Sequence, residues 1–419
     1  MTPVETSAAA RVAVVGGGIA GLAAAHRLRE IAPSLEVALF EAGDRLGGAL
    51  QTEHQDGYLL ELGADNFITN LPWGVELCRR LGIAEQLLPT RPSQRRAMVV
   101  HRRRLVPVPA GFHLLAPSRM MPLVQTPLLS WPGKLRLLAE WLIPRRRETA
   151  DESLASFARR RLGREAFERL VQPLVAGIYT ADAEKLSMQA ALPRFLEMER
   201  RHGGLIRAAR RQDQSDGSDS SGARYGLFVA PRGGMASLVD ALAARLPAGT
   251  VRLNTPVREI KPADGGGWHV SIGGGAERFQ SVVVATPAHA AAGLIGGFDA
   301  DLAASLREIP YAGSVLVLVG YRREQIAHPL ESFGFVVPDI ERRGILAGSF
   351  SSVKFEGRAP EGRVLVRVFL GGADRPDQLE LADDALRRIA IDELAELLGA
   401  RGEPELTRVV RWPASMPQY

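Results

Sequence analysis

Three glycines, Gly16, Gly18 and Gly21, stand at the spacing G-x-G-x-x-G, directly after the β-branched run RVAVV and at the opening of LAAAHRLREI. At the phosphates of a dinucleotide each has its own task. Gly16 permits a tight turn, Gly18 lets the backbone approach a pyrophosphate, and Gly21 lets helix and strand pack closely. Gly17, Ile19 and Ala20 complete the loop, and the free N–H groups at the helix start attract phosphate. Glu41 ends the next strand, EVALFE, twenty residues beyond Gly21, where a carboxylate accepts ribose hydroxyls. Glycines alone would make an ordinary turn; strand, helix and acid together specify a nucleotide site.

These residues need a parallel βαβ unit to hold them, and residues 11–62 read as strand, glycine turn, helix, strand. The fold class is therefore α/β, with a Rossmann-like nucleotide-binding domain interrupted in sequence, a mixed β-sheet domain and an inserted helical domain. Residues 1–90 form the first part of the nucleotide domain, 91–200 the helical insert and 226–293 the second nucleotide part, with 294–419 as the mixed-sheet domain. Between them, 201–225 includes the polar run 211–223 (RQDQSDGSDSSGA), expected as a mobile loop. The run after Met235 reads as an amphipathic helix with Leu238, Val239, Leu242 and Leu246 on one face. Strand candidates stand at 251, 256, 268, 278, 315, 334, 345 and 364, and a helix spans 383–399.

Composition narrows the chemistry. Of 419 residues 46% are hydrophobic and 24% charged, as in a folded globular protein. The 52 basic and 47 acidic residues leave a net charge of +5, and only four of the bases are lysines. Aromatics make up 6%, without the alternating basic and aromatic pattern of a nucleic-acid platform, so small anions fit the arginines better. One cysteine, Cys78, makes an intrachain disulfide impossible and points to a reducing, cytoplasmic setting. The eight histidines show no metal-ligand spacing, and no catalytic triad is evident.

The residues after Glu41 decide which dinucleotide is bound. The run EAGDRLGGALQT keeps Ala42, Arg45, Gly47 and Gly48 beside the acid, and YLLELGADNF comes next at 58–67. This sequence resembles FAD-dependent oxidases of the amine oxidase and protoporphyrinogen oxidase group, whose second strand continues into E-x-x-x-R-x-G-G. By that resemblance FAD is the cofactor, Arg45 neutralises its pyrophosphate, and Gly47, Gly48, Gly63, Ala64 and Asp65 run along the flavin. Val257 in NTPVREI resembles the adenine contact, and Ala285 and Thr286 in VVVATP resemble the return to the flavin.

Within that group QPLVAGIYTADAEKLSMQAALPRF, residues 172–195, resembles the porphyrinogen-oxidising branch. The implied reaction is oxidation of protoporphyrinogen IX to protoporphyrin IX by oxygen in haem biosynthesis. Alternatives are coproporphyrinogen III oxidation on the same fold and a non-catalytic porphyrin- or flavin-binding protein. The flavin would carry the redox step, so no side chain is expected to act as a catalytic residue. The resemblance implies a propionate contact by Arg95 or Arg96, backbone of Gly177 against the macrocycle, and apolar contacts from Val336 and Phe355. It also implies product handover to a ferrochelatase and leaves the oligomeric state open, with a homodimer as one option. Family members continue past the MPQY segment with a second flavin motif, so a further segment is expected there.

The stretch Leu105–Pro144 carries seven prolines, many leucines and two tryptophans between arginine clusters. Such a mixture excludes a long helix and suits a peripheral domain on the inner face of an anionic cell membrane.

Overall fold

The computed structural model describes residues 10–92, 96–146, 150–216 and 228–418. They separate into two compact units, one formed by the chain up to His54 with Leu59–Leu87 and Val229–Pro310, the other by the remaining described residues.

In the first unit four parallel strands lie in the order Val251–Arg252, Glu36–Phe40, Arg11–Val15, Ser281–Val284. Val12 to Val15 are all buried because the strand Arg11–Val15 has neighbours on both edges and packing on both faces. The helix Ile19–Ile31 sets Leu22 and Ala25 into a core shared with Val14, Leu39, Leu238, Val239 and Leu242. The expected Leu238 face is thus the buried face of the helix Ala236–Ala243. An antiparallel sheet of Glu259–Pro262, Trp268–Ile272 and Gly275–Phe279 is added. The helices Ala288–Ile295 and Ala300–Arg307 pack together, the first also against Glu259–Pro262, which carries this unit to Pro310 rather than to residue 293.

The second unit is built on a mixed sheet of seven strands among the described residues. Their order is Leu406–Pro417, Tyr311–Arg322, Arg363–Gly371, Ala347–Phe350, Gly334–Val336, Met98–His101, Arg104–Pro107. Alternate residues Val315, Val317 and Val319, with Val364, Val366 and Val368, face the core under the helix Asp383–Leu398. Strand Leu406–Pro417 contains two prolines and lies at the sheet edge, where a missing N–H breaks no ladder.

The helical insert has its own core, including Phe157, Leu170, Val175 and Phe195. Beside it Arg161 and Glu140 are fully buried and paired, and Arg161 also lies 3.5 Å from Glu199. Glu140 accepts from the N–H groups of Leu205 and Ile206, at 2.8 and 3.3 Å, and so caps the helix Leu205–Asp216 from a distant segment. Burial pushes the Glu199 carboxyl up, but the Arg160 guanidinium bonded to it wins and holds it below the usual carboxylate range. Residues 211–216, expected in a mobile loop, instead continue that helix. Buried Leu205, Ile206, Ala208 and Ala209 anchor its first turns, and the following arginines and glutamine favour propagation. The rest of that run, from 217 to 223, lies outside the described residues.

Candidate functional site

The turn after Val15 is shaped by backbone. Gly16 donates to the Phe40 carbonyl at 2.8 Å with φ of +108°, and a Cβ there would lie 2.7 Å from the Ala285 carbonyl oxygen. Gly21 is tighter still: a Cβ on it would sit 1.8 Å from the Gly16 carbonyl oxygen. Only hydrogen fits between helix and turn. Gly18 differs, because a Cβ there would meet nothing within 4 Å. It is the N-cap of the Ile19–Ile31 helix, whose start carries no side-chain cap and no acidic residue in its first turn. The N–H groups at Ile19, Ala20 and Gly21 therefore face the helix end with the dipole behind them, in front of an open space.

Glu41 bridges this turn to the next strand. One carboxylate oxygen accepts from the Gly17 N–H at 2.7 Å, the other from the Gly43 N–H at 2.8 Å. Each oxygen keeps a further lone pair for a ribose hydroxyl. The loop after Ala42 folds back: the Gly47 N–H donates to the Gly17 carbonyl at 2.9 Å, and Gly47 and Gly48 have φ of +100° and +56°. Arg45 bonds the carbonyls of Leu46 and Gly48, at 3.2 and 2.8 Å, so its guanidinium clamps the loop beside Gly18. Gly63 is half-buried, the Ala64 N–H reaches the Ala49 carbonyl at 3.4 Å, and Asp65 is bonded by Asn66.

From the far end of the sequence, Thr255 donates to the Glu41 carbonyl at 2.8 Å, and Val257 packs half-buried against Ala13, Phe40 and Val15. Ala285 donates to the Val15 carbonyl at 2.8 Å, so the 285–286 segment abuts the turn. Among the described residues the buried Thr286 hydroxyl has no hydrogen-bond partner, and a ligand is the natural partner for such an atom.

Sequence reasoning missed Glu61. Its buried carboxylate accepts from the Met235 N–H at 2.8 Å and from the Thr52 hydroxyl at 2.9 Å, while Thr52 accepts from the Ala236 N–H at 3.0 Å. Both residues cap the helix Ala236–Ala243 across more than 170 positions of chain. An acid in the apolar run YLLELG was the available signal.

The second unit collects part of the substrate-side set. Val336 pairs in register with Val99, and the Phe333 N–H donates to the Arg96 carbonyl at 3.0 Å. Gly177 comes down on a face of the sheet here, since a Cβ on it would lie 3.1 Å from Val336 Cγ1 and 3.9 Å from Ala347 Cβ. Arg96, exposed, is thus joined through its backbone to Phe333, three residues along the chain from Val336. Gly177 lies on the helix Gln172–Tyr179, which comes after a π-helical turn, Phe167–Val171. Such turns often occur at functional sites, and sequence periodicity does not show them. Arg95 lies outside the described residues. Phe355 is only 1% exposed, with Lys354 and Arg358 cations 5.3 and 5.6 Å from its ring, so it is enclosed by protein.

The profile described as flavin containing amine oxidoreductase matches residues 19–419, which is nearly the whole chain. The chain belongs to that family. Its relatives include the coproporphyrinogen III oxidase of Bacillus subtilis (strain 168), 32% identical over 97% of this chain and 87% of the relative. The coproporphyrinogen III oxidase of Propionibacterium freudenreichii subsp. freudenreichii is 35% identical, over 97% and 81%. A mitochondrial protoporphyrinogen oxidase of Nicotiana tabacum is 29% identical, over 99% and 85%. A crystal structure from Exiguobacterium sp. 255-15, assigned as a protoporphyrinogen oxidase, superimposes with a TM-score of 0.87 at 27% identity, over 98% of this chain and 88% of that one.

The protein is accordingly an FAD-dependent oxidoreductase, and the residues present fit FAD. The open face of Gly18, the uncapped helix start and the unpartnered Thr286 hydroxyl are features a bound diphosphate nucleotide would use.

Proposed function

We propose that the protein oxidises a porphyrinogen to the porphyrin in haem biosynthesis, with molecular oxygen as the electron acceptor. Similarity over 97% of the chain to enzymes named for porphyrinogens carries this reading. Bound FAD supplies the two-electron acceptor chemistry, so the chain's work is to bind, orient and exclude. Gly16 to Gly21 receive the diphosphate, Glu41 the ribose, Arg45 holds the loop of Gly47 and Gly48, and Thr286 offers its hydroxyl. On the substrate side Gly177 and Val336 offer an apolar surface for the macrocycle, and Arg95 or Arg96 pairs with a propionate.

Between substrates, sequence alone puts protoporphyrinogen IX first. The bacterial relatives at 32% and 35% identity favour coproporphyrinogen III. Supplying each porphyrinogen to the purified protein, with porphyrin fluorescence and oxygen consumption recorded together, decides between them. The ratio of kcat/KM values names the substrate. Porphyrin binding without oxygen consumption would replace the oxidase with a carrier.

A further inference from the structure

The helix that carries Gly177 begins where the π-helical turn Phe167–Val171 ends. The Gln172 N–H donates back to the Phe167 carbonyl and closes that wide turn, while Pro173 beside it has no N–H to continue the ladder. From there Leu174, Val175 and Ala176 are buried, and Gly177 stays exposed beside Val336. Apolar packing of this kind is non-directional. It holds the helix down without fixing how far it turns or slides.

Two polar side chains supply the direction. Gln172, 8% exposed, meets the turn after Val336 through both ends of its amide: Nε2 donates to Asp339 Oδ2 at 2.8 Å, and Oε1 accepts from the Asp339 N–H at 3.2 Å. Three residues earlier, Arg169 donates to Nδ1 of His101 at 2.8 Å. His101 ends the strand Met98–His101, the parallel neighbour of Gly334–Val336. Burial first, and then the Arg169 cation, hold the His101 ring below its usual value, which favours the neutral form whose Nδ1 accepts. The two anchors are also joined to each other. The Arg102 N–H lies 3.1 Å from both carboxylate oxygens of Glu341, in the 3-10 turn Asp339–Glu341.

We infer that Gln172 is a positioning residue for the macrocycle: its two-point bond to Asp339 sets the rotation and height of the helix, and through them the gap between Gly177 and Val336. Gly177 stands about 7.5 Å further along the helix axis, so a tilt at Gln172 is carried to it. One hydrogen bond would let the helix swivel about it; two, to side chain and backbone of the same residue, remove that freedom. Beyond Gly177 the Ala373 N–H donates to the Thr180 carbonyl at 3.1 Å, so the segment is pinned on both sides. The role rests on the proposed contact of Gly177 with the macrocycle.

The test pairs kinetics with porphyrin binding in the full flavin-loaded protein. Gln172→Leu removes both bonds at similar volume. KM for the porphyrinogen, and Kd for the matching porphyrin by fluorescence quenching, should each rise about fivefold, with kcat within about twofold and flavin stoichiometry unchanged. A merely structural role would move Tm, flavin content and kcat together and give no such split. Gln172→Glu sets two carboxylates against each other and should bind more weakly still. Adding Asp339→Asn to it exchanges donor and acceptor, since the new amide can donate to the new carboxylate, which also accepts from the N–H of residue 339. Affinity should then return to within about twofold of the unmodified protein. Unchanged KM and Kd in Gln172→Leu, or a double variant no better than Gln172→Glu alone, would overturn the inference. So would an affinity loss that only follows Tm and flavin content. If the unmodified protein binds porphyrin but oxidises neither porphyrinogen, the proposed reaction alone falls and the Kd values still decide. Absence of porphyrin binding by the unmodified protein would overturn both.

Discussion

The turn after Val15 and the sheet face where Gly177 meets Val336 both depend on glycine, against different neighbours. At Gly21 the atom in the way is a carbonyl oxygen at 1.8 Å, fixed by strand and helix together. At Gly177 it is a valine methyl at 3.1 Å, which a rotamer change can move. A diphosphate is read by backbone N–H groups and tolerates no displacement of the frame that aims them. A macrocycle is read by apolar side chains, which can yield. The first region should respond to substitution by breaking, the second by losing fit.

The largest effect belongs to the helical insert that carries Gly177. Glu140→Ala takes from the fully buried Arg161 its nearest counter-charge, leaving Glu199 at 3.5 Å, and uncaps Leu205 and Ile206, so it should cost about 3 to 5 kcal/mol of stability in urea unfolding. Replacing the pair together, Glu140→Leu with Arg161→Met, should recover part of that, since the desolvation of the pair disappears while the Leu205 and Ile206 N–H groups stay uncapped. Gly21→Ala comes next, at about 3 kcal/mol, with a lowered Tm and loss of bound flavin, because backbone cannot rotate away. If Gly21→Ala were as stable as the unmodified protein, the contrast between the two glycines would fail.

Gly177→Ala should cost under about 1 kcal/mol of stability, because Val336 can adjust, yet lower kcat/KM several-fold with flavin content unchanged. The smallest effect is on the back of the sheet. There Arg343, with Arg103, holds the partly exposed Glu396 carboxyl down at about 2. A depressed carboxyl contributes stability above its unfolded value near 4.3, and that contribution is lost as pH falls through about 2. Glu396→Gln should therefore cost no more than about 1 kcal/mol at neutral pH, with the difference closing near pH 2 in acid titrations of Tm.

The nucleotide turn was legible because its parts are local: strand, glycines, helix and acid all fall between Arg11 and Glu41. Several strands of the second unit were legible as short β-branched runs, such as the one at 364. The edge strand Leu406–Pro417 was not read, since its prolines resemble breakers until its position at the sheet margin is known. Nor could the sequence show that Glu140 caps a helix 65 residues away, that Glu61 does the same across 174, or that Gly177 rests on Val336. Such contacts come from tertiary packing, and it is tertiary packing that turned the polar residues 211–216 into helix rather than loop.

Gly18→Val tests the cofactor site most directly. The position is open, so the variant should unfold within about 1 kcal/mol of the unmodified apoprotein while its purified form shows no flavin absorbance and takes up no added FAD. A stable Gly18→Val protein that carries its flavin at normal stoichiometry would contradict the placement of the diphosphate against this turn.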